Sequence, residues 1–231
     1  MQITILGSGS SGNATLIQSA QTAVLIDAGL RIGYLKELLD ELTGSISLNG
    51  IVLTHCHSDH AAYANQVAQA FDAPVFLTRS TEQRVRLKGG VRRRIFSATD
   101  AFRVGAIRFD PLPLPHDVPQ VALRFSHRHA QAALVTDLGS VPPSLLGYLN
   151  DCHTVLLESN HDSGMLEKGP YPPSIKARVA SDRGHLSNAQ TAEVLCRLSP
   201  RTQRVVLMHL SQKNNHPELA HASAEHALRG T

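Results

Sequence analysis

The sequence predicts an α/β (α+β) fold, an αβ/βα sandwich in which two mixed β-sheets are flanked by helices, in a single domain spanning residues 1–231. Short β-branched runs alternate with stretches of helical period, and no repeat or linker divides the chain. The chain of 231 residues is 42% hydrophobic, which allows a sizeable core. In addition, acidic residues and histidines stand where apolar runs end, as expected for one site assembled on a scaffold of strands.

The first third of the chain predicts strands and helices in alternation. Leucines at 35, 38, 39 and 42 form the stripe of an amphipathic helix that Gly44 closes. Asp59 is placed to cap an alanine-rich helix over 60–72, which Asp72, Ala73 and Pro74 end. The predicted strands are 1–7, 15–19, 23–29, 50–55 and 74–78.

In the rest of the chain, several predicted strands end in a histidine or an acidic residue. Strands are predicted at 106–115, 121–127, 131–139, 154–160 and 204–210, and helices at 187–198 and 217–228. Ser187 and Asn188 are a plausible start for the first of these helices. Counting the strand at 50–55, the residues delivered at strand ends are His55, His116, Asp137, Glu158 and His209.

Composition narrows the class of protein. Lys and Arg exceed Asp and Glu by 3, which is weak support for a polyanionic partner. Three cysteines without CxxC spacing argue against a disulfide framework, and the start "MQITILGSGSSGN" has no basic region followed by an apolar one. No apolar run approaches a membrane span. We therefore expect a cytoplasmic protein with no membrane association, for which a homo-oligomer remains open.

Histidine is over-represented, with 13 copies, and it is concentrated in "IVLTHCHSDH". His55 and His57 are one residue apart in an extended segment, so their side chains can point the same way. Asp59 and His60 follow at a helix start and can face a second point, which indicates two metals side by side. Imidazole and carboxylate ligands suit Zn²⁺, Mn²⁺ or Fe²⁺. The alternative is an exposed histidine-rich loop without metal.

The motif HxHxDH resembles the signature of the metallo-β-lactamase fold, and the resemblance runs across nearly the whole chain. The segments "SGSSGN", "LIDAGL", "TDLG", "ESNHD", "GHLSN" and "HLSQKNN" are similar, in this order, to the YycJ/WalJ-like branch, which lies near ribonuclease Z-like and PhnP-like phosphodiesterases. The resemblance implies the four-layer αβ/βα sandwich of this fold.

The resemblance also implies two ligand sets. The first metal ion would be held by His55, His57 and His116, with Asp137 bridging. The second would be held by Asp59, His60, Asp137 and His209. Taken singly, His116 could be a turn residue, Asp137 a turn aspartate before Gly139 and His209 a hydrogen-bonded histidine at a buried strand end.

Further site residues are implied by the same resemblance. His185 looks like a histidine that donates a proton to a leaving oxygen or holds a phosphate oxygen, and Glu158 like the acid that orients it. The alternative for His185 is a neighbour of a helix cap. His161 and Asp162 are either partners of the metal-bound histidines or ordinary polar loop residues. Asp27 matches an aspartate that is commonly structural rather than a metal ligand.

The turn "GSGSSGN" is placed near the site by the resemblance, where Ser10, Ser11 and Asn13 could contact substrate. A plain tight turn is the alternative, and the turn lacks the GxxxxGK[ST] spacing of a P-loop. Cys56 stands where the fold often has a polar residue. No cysteine takes the ligand position of some lactamases, which weakens an antibiotic-hydrolase interpretation.

The implied function is metal-dependent phosphodiester hydrolysis by a metal-bridged hydroxide, with Asp59, His185 and Glu158 as catalytic residues. The branch implies a 5′-to-3′ exonuclease on DNA, with RNA a less favoured substrate. A basic stretch around Gly89 and Gly90 is either a phosphate-facing patch or a solvated surface; it contains Arg84, Arg86, Lys88, Arg92, Arg93 and Arg94. Of these, Arg92, Arg93 and Arg94 could contact phosphates. The alternatives are a hydrolase of a small (cyclic) phosphodiester or other small ester or thioester, and a binding protein without turnover.

Overall fold

The computed structural model describes residues 1–43 and 47–229 and contains two mixed six-stranded β-sheets. The first sheet has the order β1-β2-β3-β4-β5-β6, formed by Gln2–Gly7, Ala14–Ser19, Thr22–Ile26, Leu48–Val52, Val75–Leu77 and Arg93–Ile95. The second has the order β12-β11-β10-β9-β8-β7, with β7 to β12 formed by Phe102–Val104, Ile107–Leu114, Gln120–His127, Ala130–Val135, Thr154–Glu158 and Arg204–Met208.

The described residues form nine helices. These are α1 to α9, at Ile32–Thr43, Ser58–Ala61, Ala64–Ala70, Arg79–Glu82, Ser144–Leu149, Ser163–Lys168, Pro173–Val179, Asn188–Leu195 and Pro217–Arg229. The predicted closing residue of α1, Gly44, lies outside the described residues. The two mixed sheets with helices confirm the predicted fold class.

The chain divides into two compact units. The first comprises Met1–Pro111 and Phe125–Ala130, and the second comprises Leu112–Arg124 and the chain from Gln131 onward. The prediction of one domain stays a prediction.

The first unit is built on the sheet β1 to β6. Strands β1, β2 and β3 pair antiparallel through short turns, and β3 to β6 pair in parallel. The predicted leucine stripe is confirmed, because Leu35 and Leu39 of α1 are fully buried in the core of this unit while Leu38 and Leu42 are half-buried. Strand β4 ends at Val52, so His55 and His57 lie in an extended segment beyond it.

The predicted single helix over 60–72, capped by Asp59, is wrong. A one-turn helix α2 begins at Ser58 and contains Asp59, and α3 begins only at Ala64. The helix cannot continue because its backbone groups form hydrogen bonds with earlier parts of the chain. The carbonyl of Asp59 accepts from the backbone N–H of Asn13 (2.7 Å), and the carbonyl of His60 accepts from that of Ala28 (2.6 Å). In addition, the backbone N–H of Tyr63 donates to the carbonyl of Ala28 (2.9 Å).

The second unit is built on three parallel strands that end at the same edge. Leu157 of β11 pairs with Val135 of β10 and with Leu207 of β12, and Glu158 pairs with Met208. Asp137, Glu158 and His209 therefore leave the sheet at neighbouring points. Behind them, Leu138, Leu145, Val155 and Leu186 belong to the apolar core of this unit.

The helix start predicted at Ser187 is confirmed. The Ser187 hydroxyl accepts from the backbone N–H of Gln190, and the Gln190 side chain accepts from the backbone N–H of Ser187, which is a complete capping box. A second hydrogen bond ties α8 to the end of β11, because Thr191 Oγ1 donates to the backbone carbonyl of Glu158 (2.6 Å).

Candidate metal centre

The four predicted ligands of the first unit form a compact loop after β4. His55 and His60 are 0% and 1% exposed, and their ring centroids are 4.2 Å apart. The ring of His57 lies 4.8 Å from that of His55 in an edge-on arrangement. Asp59 is half-buried, with its carboxylate 3.6 Å from His60 Nε2. The structure therefore brings all four of these side chains together.

Asp27 holds two of these histidines in place. His60 Nδ1 donates to Asp27 Oδ2 (2.8 Å), and Thr54 Oγ1 donates to the same carboxylate (2.9 Å). Because its proton is used in that bond, the Thr54 hydroxyl accepts from His55 Nδ1 (3.0 Å). Asp27 thus orients His60 directly and His55 through one hydroxyl, in line with the expectation that it is not itself a ligand. Thr54 had no signal in the sequence.

Among the three predicted substrate residues of the N-terminal turn, Asn13 is tied to the histidine loop. Asn13 Oδ1 accepts from Gly9 N–H (2.8 Å), and Asn13 Nδ2 lies 2.9 Å from His60 Nε2. Ser10 and Ser11 are exposed at the surface of the same turn. The absence of a side chain at Gly29 allows the backbone of Asp59 and the N-terminal turn to pack against it. A Cβ at Gly29 would lie 1.7 Å from the carbonyl oxygen of Asp59 and 2.8 Å from the backbone nitrogen of Asn13.

Glu158 is the centre of the second unit's cluster. Its Oε1 accepts from His185 Nδ1 and from His209 Nδ1, both at 2.9 Å. Its Oε2 accepts from the backbone N–H groups of Leu186 (3.0 Å) and Leu138 (3.2 Å). Sequence analysis predicted only the partnership with His185. The partnership with His209 was missed because it joins residues that are 51 positions apart.

Asp137 completes this cluster. One of its carboxylate oxygens lies 3.4 Å from His209 Nδ1 and 3.7 Å from His185 Nδ1. Asp137, Glu158, His185 and His209 each offer one potential metal-ligand atom, and these atoms lie within 4.8 Å of one another. Gln120, which the sequence did not single out, donates to the backbone carbonyl of Asp137 (2.9 Å).

The charges in this cluster favour an ion pair. Burial raises the pKa of Glu158, but the charge and hydrogen bond of His185 and the hydrogen bond of His209 outweigh it and lower that pKa to about 2. Burial lowers the pKa of His185, and the adjacent Glu158 reverses this, so that the pKa of His185 is raised overall. Glu158 is therefore ionised, and His185 is biased toward its protonated form.

His116 lies in the same unit, with its ring centroid 5.5 Å from that of His185. Its Nδ1 donates to Gly184 O (3.2 Å), and its Nε2 lies 3.3 Å from Asp117 Oδ1. Asp117 also pairs with Arg178 (3.2 Å). The structure thus brings His116, Asp137 and His209 together with Glu158 and His185, and the alternative of His116 as a simple turn residue is not favoured.

The histidines fit divalent metal ions. In His55, His60 and His209, Nδ1 lies beside an oxygen acceptor, which leaves Nε2 as the nitrogen with a lone pair. His116 differs, because oxygen acceptors lie beside both of its ring nitrogens. Metal-binding histidines are typically fixed in this way by an acceptor on the other ring nitrogen. The Asn13 amide beside Nε2 of His60 agrees with this tautomer, since an N–H donor there requires a lone pair.

Three site residues have left-handed backbone conformations that are uncommon for residues other than glycine. The φ angles are +61° for Asp27, +60° for Asp137 and +56° for His209. Each stands one or two residues after a strand end, where the turn aims the side chain away from the direction of the strand. Such conformations are tolerated where the surroundings determine them, and they cluster at functional sites.

His161 and Asp162 differ in their surroundings. Asp162 Oδ1 accepts from Met165 N–H (2.8 Å) and caps α6, which favours the alternative of a polar loop residue. His161 is 3% exposed, and its backbone bridges to Ser187. Burial lowers the pKa of His161. A buried amide network of Asn188 and Asn215 supports this region, joined by a 2.9 Å hydrogen bond that sequence analysis did not predict.

A family model described as a beta-lactamase superfamily domain matches residues 22–210. The chain belongs to the metallo-β-lactamase superfamily. Superfamily membership, together with the relatives below, makes the chain a metal-dependent hydrolase. Within the described residues, no helix has the length and apolar character needed to cross a membrane.

Curated relatives match this superfamily member along nearly its whole length. It is 32% identical to exodeoxyribonuclease YycJ of Bacillus anthracis, over 99% of this chain and 89% of that protein. It is 34% identical to exodeoxyribonuclease WalJ of Streptococcus pneumoniae strain D39, over 97% of this chain and 87% of that protein. The predicted resemblance to the YycJ/WalJ-like branch is therefore confirmed.

Solved structures share the metallo-β-lactamase fold with this chain. PqqB from Methylobacterium extorquens superposes with a TM-score of 0.77 at 15% identity, covering 98% of this chain and 96% of that one. YhfI from Bacillus subtilis superposes with a TM-score of 0.76 at 17% identity, covering 97% and 91%. At these identities the likeness establishes the fold.

Proposed function

We propose that this chain is a two-metal nuclease that hydrolyses DNA phosphodiester bonds from the 5′ end. The observation that carries the proposal is the relationship, over nearly the full chain, to two proteins named exodeoxyribonuclease. The fixed histidine tautomers and the Glu158 cluster are the features that such a hydrolase requires.

The proposed ligands are those that the family resemblance implies: His55, His57 and His116 for one ion, Asp59, His60 and His209 for the other, and Asp137 for both. Imidazole and carboxylate donors suit Zn²⁺ or Mn²⁺, and Fe²⁺ is compatible with them. When bound, such ions supply Lewis acidity that ionises water near neutral pH and offsets charge on a phosphoryl oxygen.

His185 is the proposed proton donor to the departing oxygen. Its Nδ1 is bound to Glu158, so Nε2 is the atom that faces a substrate. Its side chain is 14% exposed, whereas those of Asp137, Glu158 and His209 are 2%, 0% and 3% exposed. His185 is therefore the member of this cluster that solvent and substrate can reach. Glu158 positions it and favours its protonated form.

Ser10, Ser11, Asn13 and His161 are the proposed substrate contacts. The side chain of Asn13 is held by a hydrogen bond from Gly9 and lies against His60. A phosphate that bound beside Asn13 would therefore contact a turn whose conformation is already fixed. The proposed setting is the cytoplasm, with DNA rather than RNA as substrate.

A substrate panel tests this proposal. Metal-loaded protein is incubated with single-stranded DNA, duplex DNA and RNA, each carrying a 5′ phosphate and a label at one end, and with bis(p-nitrophenyl) phosphate. We expect a 5′ label to be released at once as a mononucleotide, and a 3′ label to appear in a descending ladder. Hydrolysis of the small ester alone would contradict the nuclease proposal and favour a small-phosphodiester hydrolase. A ladder from RNA alone would contradict the choice of DNA.

The variant Asp59→Ala tests the two-metal part of the proposal. We expect it to lose about one of two metal equivalents by elemental analysis and to lose activity by about 100-fold or more, because one predicted ion loses its carboxylate. Asp100→Ala, an exposed aspartate in the same unit, is the matched control. Unchanged metal content and activity in Asp59→Ala would remove Asp59 from the site.

A further inference from the structure

A cavity of about 390 Å³ in the first unit opens beside the histidine loop. Cys56 and Ser58, which alternate with the predicted ligands, line it together with residues of α3. Ala61, Ala62 and a segment after α4 complete the lining, and this segment includes Arg84, Arg86 and Lys88. The cavity thus joins a basic segment to the loop that carries the proposed metal ligands.

A second cavity, of about 290 Å³, adjoins the first. Gln69 of α3 lines both, and the chain passes from Lys88 in the first to Gly89 and Gly90 in the second. Arg92 lines the second cavity as well. We refer to the two cavities together as the basic groove.

The cations of the first cavity differ from the neighbouring arginines in their ion pairs. Within residues 1–43 and 47–229, no ion pair joins a carboxylate to Arg84, Arg86 or Lys88. None of the described residues that line the first cavity is acidic. By contrast, Arg79 outside the groove pairs with Glu82 (2.6 Å), and Arg92 in the second cavity pairs with Asp72 (3.2 Å).

The basic segment is held in a fixed conformation. Lys88 N–H donates to the side-chain oxygen of buried Asn65 (2.7 Å), and Arg93 Nη2 donates to Leu87 O (2.6 Å). Arg84 Nη1 donates to Ser80 O (2.9 Å). The groove is therefore preformed, so an anion that binds in it pays little for ordering the backbone.

The lining also defines the chemistry of the ligand. Besides its cations, the first cavity is lined by Asn65, Gln66 and Gln69, whose side chains are amides. Among the residues that the structure describes, no aromatic residue lines either cavity. Bases of single strands are usually gripped by stacking on aromatic rings, whereas phosphates are bound by Lys and Arg regardless of sequence. The groove thus suits a chain of phosphates rather than exposed bases.

We propose that the basic groove binds the sugar-phosphate backbone of the nucleic-acid substrate and leads it to the histidine loop. This inference rests on the proposed nuclease function and adds to it the surface that holds the polymer. It also narrows the phosphate contacts within the basic stretch to Arg84, Arg86 and Lys88. Arg92 is paired with Asp72, and neither Arg93 nor Arg94 lines the groove.

Binding without turnover tests the inference. Fluorescence anisotropy is measured with labelled 20-nucleotide single strands of two base compositions, in excess chelator, over a series of salt concentrations. The triple variant Arg84→Gln/Arg86→Gln/Lys88→Gln is compared with Arg31→Gln/Arg94→Gln/Arg103→Gln, which removes the same charge from exposed positions outside the groove.

We expect the groove variant to bind at least about 10-fold more weakly at moderate salt, and its log–log salt slope to fall by about 2, since each lost phosphate contact removes about 0.7. The control variant should change affinity by less than about 2-fold, and both base compositions should give the same result. Equal weakening of the two variants, or wild-type affinity in the groove variant, would overturn the inference.

The inference and the proposed function fail in different ways. Selective weakening in the groove variant, in a protein that cleaves no nucleic acid, would support the groove and contradict the nuclease. Nuclease activity with unchanged binding in the groove variant would support the nuclease and contradict the groove. Circular dichroism checks folding, and if the triple variant is unfolded, Arg86→Glu against Arg94→Glu is judged by the same criteria.

Discussion

Four predicted metal ligands of the first unit lie within six consecutive residues, whereas those of the second unit are spread from His116 to His209. Both sets nevertheless use the same device, a buried carboxylate that bonds to histidine Nδ1 atoms. Asp27 holds two predicted ligands, His60 directly and His55 through Thr54. Glu158 holds one predicted ligand, His209, together with His185 and two backbone N–H groups. Glu158 therefore accepts four hydrogen bonds, whereas Asp27 accepts from three groups, two of them on Thr54.

Replacement of the two carboxylates by their amides tests this difference most strongly. In Glu158→Gln, one carboxylate oxygen is replaced by an NH₂ group, which would face N–H donors that it cannot accept from. The buried ion pair with His185 would also be lost. We therefore expect the free energy of unfolding to fall by about 3–5 kcal/mol. In Asp27→Asn, three donors are affected in a left-handed conformation that Asn tolerates, and we expect a loss of about 1–3 kcal/mol. Urea unfolding in chelator measures both.

The same variants should also lower metal affinity by about 10- to 100-fold, since the histidines lose their orientation. Isothermal titration with Zn²⁺ or Mn²⁺ measures this separately from stability. Equal losses of stability in the two variants would mean that the additional hydrogen bond and the ion pair of Glu158 do not make its surroundings more dependent on the carboxylate.

Two glycines of the first unit provide the next largest effects. In Gly29→Ala, the new Cβ would collide with the backbone of Asp59, so we expect a loss of about 3 kcal/mol and weaker metal binding. In Gly33→Ala, on α1, the Cβ meets nothing within 4 Å, and a gain of about 0.5 kcal/mol is expected. Thermal and urea unfolding compare the two. A neutral Gly29→Ala would show that the histidine loop shifts freely.

Cys152 lies in the apolar core of the second unit, shortly before β11, and its thiol reports on how well that core excludes water. Burial raises the pKa of its thiol to about 11. At pH 9 to 11 the unfolded chain therefore loses this proton while the folded chain keeps it, so stability falls as pH rises through that window, by up to about 2 kcal/mol. Cys152→Ala removes this contribution, and the difference between the two pH profiles measures it. Parallel profiles would indicate that water reaches the thiol.

The seven ligand candidates were implied by the family resemblance. The local pattern of apolar runs predicted ten of the twelve strands in the described residues, but not β6, β7 or α4 to α7. It missed the break at Tyr63, which depends on hydrogen bonds to Asn13 and Ala28 from far earlier in the chain. It also missed the bond from Glu158 to His209 and the role of Thr54, since a threonine after a strand has no distinctive pattern. The basic groove joins Cys56 to Arg86, and only the folded chain shows that they share a cavity.

The helix interruption at Tyr63 has a consequence for how the protein is made on the ribosome. The groups that bond to the loop around His60, namely Asn13, Asp27 and Ala28, all precede it in the chain. At about 5–20 residues per second, they are synthesised within seconds before it. The partners of Glu158 lie on both sides of it, as late as His209. When the first set of ligands is synthesised, the residues that hold it in place have therefore already been made. For the second set, these residues are complete only after most of the chain has been made.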